Sequence, residues 1–363
     1  MTEGDAPQSA FAFTGDWREF APIAFTNLLL TIVTLGIYSF WARTRVRRYL
    51  WSRTHFIDDR LDWAGTGLEL FIGYILAFFL FIVPLGVIQL VVQGILLHGH
   101  PGAAGLLLGA LYLFLLYMVG IAIFRALRYR LSRTYWHGIR GGSDDQGFGY
   151  GWAYFWRTIV GTLAAGLMIP WSMTNLWNAR WNAMSFGPHA FRAEARWQPI
   201  FSRFLLYYLV PIIIVFGAIL IAAIGAATVH VTPGQPPAGS TLAAFVLLAI
   251  AFYVIFFGVL GVIAMIYYAA YFREAVGKLS LGELDFAFGA DTADWISLFL
   301  GNIGLVIVTF GVGTIFLAYR NWAFFVRHLE AYGEVRLDDL TQSKTRQPGQ
   351  GEGLLDAFDI GAF

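Results

Sequence analysis

Two asparagines, Asn27 and Asn302, each stand nine residues before a glycine that interrupts an apolar run, Gly36 and Gly311. Pro170 interrupts a third run, with Asn175 and Asn178 just after it. A carboxamide offers donors and acceptors beside backbone groups that a break sets free. Interrupted apolar segments at corresponding positions are how many transporters build a site near the bilayer midplane. Asn27, Gly36, Pro170, Asn302 and Gly311 therefore form a candidate substrate-binding set for a small solute. The plainer reading is that each asparagine bonds a neighbouring helix or the loosened backbone, for about 1 kcal/mol.

A second candidate is basic. Arg43, Arg45, Arg47 and Arg48 lie among Trp41, Tyr49 and Trp51, a composition that suits anionic lipid head groups at about 1 kcal/mol per residue. The same pattern anchors the cytoplasmic end of an ordinary span. His98 and His100 have no carboxylate near them, so no metal site is expected. Asp58-Asp59 and Asp144-Asp145 are neighbours whose side chains point apart in an extended chain, which suits solvated loops better than a catalytic dyad. There is no nucleophile elbow, zinc-binding His-Glu-x-x-His or phosphate-binding loop. Cysteine is absent, which removes disulfides and thiolate chemistry. The expectation is a protein that is not an enzyme and takes no cofactor.

The elements that must position these residues belong in a membrane. Hydrophobic residues make up 58% of the chain and charged residues 13%, about half the charge of a soluble domain. Leu68 to Leu97 holds one charge, Glu69, and Phe204 to Val229 holds none; about 20 such residues cross a bilayer. Nothing in the first nineteen residues reads as a cleavable leader. The net charge of +1 gives no reason to expect nucleic acid as a partner. No ionisable side chain lies centrally in the four long apolar helices, which disfavours proton-coupled transport.

The chain also repeats itself. Phe11-Ala12-Phe13-Thr14-Gly15, Phe148-Gly149-Tyr150-Gly151 and Phe286-Ala287-Phe288-Gly289 each precede a broken apolar segment and then an Arg-bearing aromatic one. Helical hairpins follow the first two, Leu68–Leu97 with Ala104–Phe124 and Phe204–Val229 with Leu242–Phe272. The expected organisation is an N-terminal tail over 1–19, repeat units over 20–147 and 148–285, a partial third over 286–340 and a flexible tail over 341–363. The hairpin turns His98–Ala103 and His230–Thr241 carry none of the 24 Lys and Arg, and basic residues stay cytoplasmic. Four spans with three re-entrant hairpins satisfy that rule throughout; seven spans would export Arg180, Arg192, Arg196 and Arg203. Between the apolar segments, His55–Gly65, Arg133–Arg140, Ser185–Trp197, Leu281–Gly289 and Tyr332–Leu337 alternate at period two and read as small cytoplasmic strands. Gly105 and Gly109 offer a close helix approach. The fold class expected is an all-α polytopic membrane protein with small cytoplasmic β elements.

Asn27-Leu28-Leu29-Leu30, Thr34-Leu35-Gly36-Ile37-Tyr38, Trp41-Ala42, Arg45, Arg48 and Tyr49 resemble the YjgN-like family of bacterial inner-membrane proteins, whose shared region has no known function. Arg133-Thr134-Tyr135-Trp136-His137-Gly138-Ile139-Arg140 is a second stretch similar to it. The resemblance implies the bacterial cytoplasmic (inner) membrane and brings no substrate or reaction. Two functions stay open: a passive or facilitated small-solute transporter or channel, and a non-catalytic module binding anionic lipid or a partner protein through its arginine-rich cytoplasmic face.

Overall fold

In a computed structural model, which describes residues 10–228, 239–335 and 341–349, the chain is mostly helical. Three short helical hairpins recur along it. The first pairs α1 (Trp17–Val33) with α2 (Ser39–Ser52), and the second pairs α6 (Phe148–Leu163) with α7 (Ile169–Trp181). The third pairs α10 (Thr292–Val308) with α11 (Leu317–His328) through a 3-10 turn at Val312–Phe316. Between them run long apolar helices: α3 (Gly67–Ala77), α4 (Val83–Leu97), α5 (Pro101–Arg133), α8 (Gln198–Thr228) and α9 (Gly239–Val276).

Pro101–Arg133, Gln198–Leu220 and Val246–Val276 are each long and apolar enough to cross a membrane. The fourth expected crossing, Leu68–Leu97, is divided. A π turn over Phe78–Ile82 separates α3 from α4, and the Val83 N–H reaches back five residues to the Phe78 carbonyl. Pro84 accounts for the widening, since its ring would collide with the carbonyl four residues earlier and it has no N–H to donate. Glu69 ties the start of α3 to the end of α5. It accepts from Arg133 Nε at 3.1 Å and Nη2 at 3.0 Å, and from the Tyr129 hydroxyl at 2.9 Å, a two-pronged, charge-assisted clamp. The close helix approach is at Gly120 of α5 and Gly151 of α6, where a methyl on Gly120 would lie 2.9 Å from the Gly151 Cα. Gly105 and Gly109 meet nothing within 4 Å, which corrects the expectation placed on them.

Among the described residues, eleven short strands lie at one end of the helices: β1 (Phe11–Phe13), β2 (Thr54–Phe56), β3 (Asp59–Arg60), β4 (Asp62–Trp63), β5 (Thr134–Trp136), β6 (Ile139–Gly142), β7 (Ser185–Phe186), β8 (His189–Ala193), β9 (Leu279–Leu281), β10 (Leu284–Phe288) and β11 (Leu329–Tyr332). They form a three-stranded sheet, β1-β2-β3, and an eight-stranded one running in order from β11 to β4. Leu61 alone separates β3 from β4, and β1 lies against β11. The two sheets therefore follow one another around a ring. Each hairpin is framed by an antiparallel pair, the strand before it with the strand after it: β1 with β2, β6 with β7, β10 with β11.

Three expectations change. Phe148 to Gly151 opens α6 and so does not correspond to the aromatic strands β1 and β10. The last expected strand, Tyr332–Leu337, lies earlier, at Leu329–Tyr332. Residues 341–346, expected in a flexible tail, dock along β6: the Gln342 amide bonds the Arg140 N–H and the Gly138 carbonyl, Arg140 bonds the Thr345 carbonyl, and the Arg346 N–H donates to Asp144. Most of the expected turn at 230–241 and the apolar end of the tail at 354–363 lie outside the described residues.

Candidate functional site

The three breaks share one backbone device. Leu35 and Gly36, Ala165 and Gly166, and Phe310 and Gly311 are consecutive residues in the left-handed region, with φ of 51° and 93°, 52° and 80°, and 49° and 90°. Thr34 and Thr309, two residues before their glycines, close the turn alike. The Thr34 hydroxyl donates to the Leu30 carbonyl and accepts the Tyr38 N–H; the Thr309 hydroxyl donates to the Leu305 carbonyl and accepts the Gly313 N–H. A methyl on Gly36 or Gly311 would meet nothing within 4 Å, so conformation and not space requires glycine there. Pro170 is not the second break. It lies one residue inside α7, a first-turn position that lacks a helical N–H partner anyway, and Ala165-Gly166 makes the turn.

Around each glycine stands an Asn–Arg pair at plus and minus nine residues. Asn27 is buried, donates to the Ala42 carbonyl at 3.3 Å, and accepts from Arg45 Nη1 at 3.2 Å. Asn302 accepts from Arg320 Nε at 2.7 Å and donates to the Asn321 side chain at 2.9 Å. In the second hairpin the types are exchanged: Arg157 precedes Gly166, Asn175 follows it, and Arg157 Nη1 donates to the Asn175 carbonyl at 3.4 Å. Each pair clasps the two legs of its own hairpin. The expected cluster Arg43, Arg45, Arg47 and Arg48 is divided: Arg45 is in the clasp, Arg47 is buried against the Trp63 ring, Arg43 is half-buried, and Arg48 is exposed. His98 and His100 are exposed, and no group of three potential metal ligands occurs among the described residues.

The concave site is inside the ring of strands. It has a volume of about 640 Å³, within the range of roughly 300–1,000 Å³ usual for small-molecule sites. Alternate residues of the strands face into it, Thr54 and Phe56, Thr134 and Trp136, Leu279 and Leu281, then Leu284, Phe286 and Phe288; this is the two-residue period of a pleated strand. Phe11 stacks on Phe56 at 4.5 Å and Trp136 meets Phe56 edge-on at 5.0 Å. The helix ends of α5, α7, α9 and α11 close the other side, through Leu127, Trp177, Val276 and Phe325 among others.

Among the described residues, four charged or titratable ones line this chamber. Glu283 and Glu334 are exposed and His189 is half-buried, whereas Arg180 is 8% exposed. The Arg180 guanidinium lies 5.5 Å from the Trp177 ring centre, and its Nε has no hydrogen-bond partner. The indole N–H groups of Trp177 and Trp181 are likewise buried and unpartnered. Two other indoles of the chamber differ: Trp136 donates to the Phe56 carbonyl at 3.0 Å and Trp322 to the Thr54 hydroxyl at 2.9 Å. An unpaired buried donor costs about 1–3 kcal/mol, so three within one turn of α7 are a concentrated debt. Sequence reasoning counted Arg180 only as a basic residue to be kept cytoplasmic.

A sequence model described as "Bacterial protein of unknown function (DUF898)" matches residues 8–357. The chain is 31% identical over 142 residues to the inner membrane protein YjgN of Salmonella typhimurium, covering 39% of this chain and 33% of that protein. It is 26% identical over 166 residues to the inner membrane protein YjgN of Escherichia coli K12, covering 46% of this chain and 39% of that protein. The chain thus matches well under half the length of these curated relatives. No solved structure matches significantly.

Proposed function

This chain belongs to the DUF898 family of bacterial proteins of unknown function and is an inner-membrane protein, and from that premise we propose that it is a non-catalytic module that binds a lipid-derived molecule in its β-ring chamber. The observation that carries the reading is the chamber itself, an aromatic-lined volume built from strands of all three segments of the chain. Apolar lining with a few convergent polar groups is the usual make-up of a small-molecule site. Its position at the ends of the apolar helices supports a ligand drawn from the adjoining lipid.

The hairpins serve, in this reading, as re-entrant anchors repeated three times. Their tips are apolar and exposed: Leu35 is 94% exposed and Phe310 98%, which suits hydrocarbon. Nine residues of helix span about 13–14 Å, so a tip at mid-bilayer puts each Asn–Arg clasp near the head groups, where a charge is tolerated. The repeat is supported by the shared turn, the threonines at 34 and 309 and the plus-and-minus-nine pairs. Solute transport through Asn27 and Asn302 has weaker support, since both amides are engaged by arginines and neither residue lines the chamber.

Native mass spectrometry of the full chain in detergent tests the reading with hexadecanol and hexadecanoate as probes. Wild type should carry a one-to-one adduct that Leu281→Trp, which fills the chamber from β9, abolishes without lowering thermal stability. Absence of any adduct, or equal adducts on both proteins, overturns it.

A further inference from the structure

We propose that the chamber selects a single-chain anionic amphiphile, whose carboxylate or phosphate head is held by Arg180 together with the indole N–H groups of Trp177 and Trp181; this rests on the chamber being the ligand site. Arg180, Trp177 and Trp181 all line the same apolar volume, and Arg180 Nε and the two indole N–H groups are buried beside it without an acceptor. All three lie on one turn of α7, whose end is fixed by Asn178 and Asn182. Asn178 bonds the N–H and carbonyl of Ala195, both at 2.9 Å, and Asn182 bonds those of Ala193 at 2.6 and 3.1 Å. The donors are therefore held in place before a ligand arrives, which is what a preorganised site requires.

The charge pattern gives the ligand its direction. Arg180 lies at the helical side of the chamber, where the Tyr150 and Tyr271 phenols are also within its electrostatic reach. Glu283 follows β9, which leads away from the end of α9, and Glu334 follows β11; both are exposed. An anionic head is repelled at the acidic, solvated end and attracted at the buried one. Apart from Thr54, Thr134 and the half-buried His189, the remaining lining is aromatic and aliphatic, and among the described residues no second charged group is buried within it, so one end of the ligand is charged and most of the rest is hydrocarbon. The volume accommodates a single alkyl chain with its head group. A guanidinium and two N–H donors suit the planar oxygens of a carboxylate or the oxygens of a phosphate monoester alike.

Competition binding on the full chain in detergent, with micelle partition of each probe measured separately, separates the possibilities. Wild type should bind hexadecanoate and hexadecyl phosphate at least about tenfold more tightly than hexadecanol, the scale of one charge-assisted contact. Arg180→Gln should lose that preference while keeping its affinity for hexadecanol, and Arg180→Lys should keep part of it. Trp181→Phe, which retains the ring and removes the donor, should weaken hexadecanoate alone by a few fold and serves if Arg180→Gln does not fold. Equal affinity of wild type for acid and alcohol, or an unchanged preference in Arg180→Gln and Trp181→Phe, overturns the inference and leaves the lipid-binding reading standing. Failure of all three probes to bind overturns both. A preference of hexadecyl phosphate over hexadecanoate, or the reverse, identifies the head group.

Discussion

Glu69 shows how a single side chain can fix two long helices. Both members of its pair with Arg133 are mostly buried, at 19% and 12% side-chain exposure. Glu69→Gln keeps the shape and removes the charge, so it should cost about 1.5–3 kcal/mol, seen as a lower thermal midpoint in detergent; Arg133→Lys should lose less. A second residue-scale prediction concerns Asp291, which caps α10. Its carboxylate accepts the Asp294 N–H at 2.9 Å, and that bond holds its pKa below the ordinary value. A depressed carboxyl means that the unfolded state binds more protons between the two pKa values, so stability rises with pH there. Asp291→Ala should therefore melt below wild type at pH 7, and the gap should narrow as pH falls below about 4. The spacing of Asn27 and Asn302 to their glycines was legible in the sequence. Their partners eighteen residues on were not, because only the fold of the hairpin brings Arg45 and Arg320 back to them. Arg180 carried no signal at all: one more arginine in a basic segment looks the same whether it faces water or a cavity.

At the scale of elements, the hairpin turns make a graded prediction. Gly36→Ala and Gly311→Ala meet no atoms, so each should cost only the left-handed backbone term, about 1–2 kcal/mol. Gly166→Ala adds a collision with the Tyr208 hydroxyl and should lower the melting temperature further than either. Gly120→Ala should be worse again, because its neighbours are the backbone of Gly151 and the root of Tyr154, which cannot swing aside. The elements themselves were largely readable. Apolar length gave the long helices, and period-two alternation gave the strands that became the chamber wall. The misplaced second break has a physical origin. Proline is a strong breaker inside a helix but a favourable residue in its first turn, so Pro170 drew attention four residues past the left-handed pair that turns the chain. The π turn at Phe78–Ile82 follows from Pro84 but cannot be told from a kink by sequence alone.

The whole molecule poses the question of sides. The eleven strands of the described residues and the Glu69–Arg133 pair lie at one end of the long helices, and the turn between α4 and α5 lies at the other with no Lys or Arg. Basic residues remain on the cytoplasmic face, so the ring should be cytoplasmic and that turn periplasmic. The ring was not legible as such, since no strand among the described residues exceeds five residues, and closure brings β1 against β11 from opposite ends of the chain. Absence of native cysteine makes the arrangement directly testable with three single substitutions. His100→Cys, exposed in the α4–α5 turn, should react with a membrane-impermeant maleimide in intact spheroplasts. Glu283→Cys, exposed between β9 and β10, should react only after lysis. Leu35→Cys, at a fully exposed apolar tip, separates the two topologies: buried at mid-bilayer it should resist the reagent from both sides, although its side chain is 94% exposed on the protein. Labelling of Leu35→Cys from the periplasm would mean that the hairpin crosses the bilayer completely, and its clasp at Asn27 and Arg45 would then lie within the hydrocarbon. There the pair would have to remain fully bonded to persist, and Arg45→Leu would destabilise the protein far more than at the head-group level.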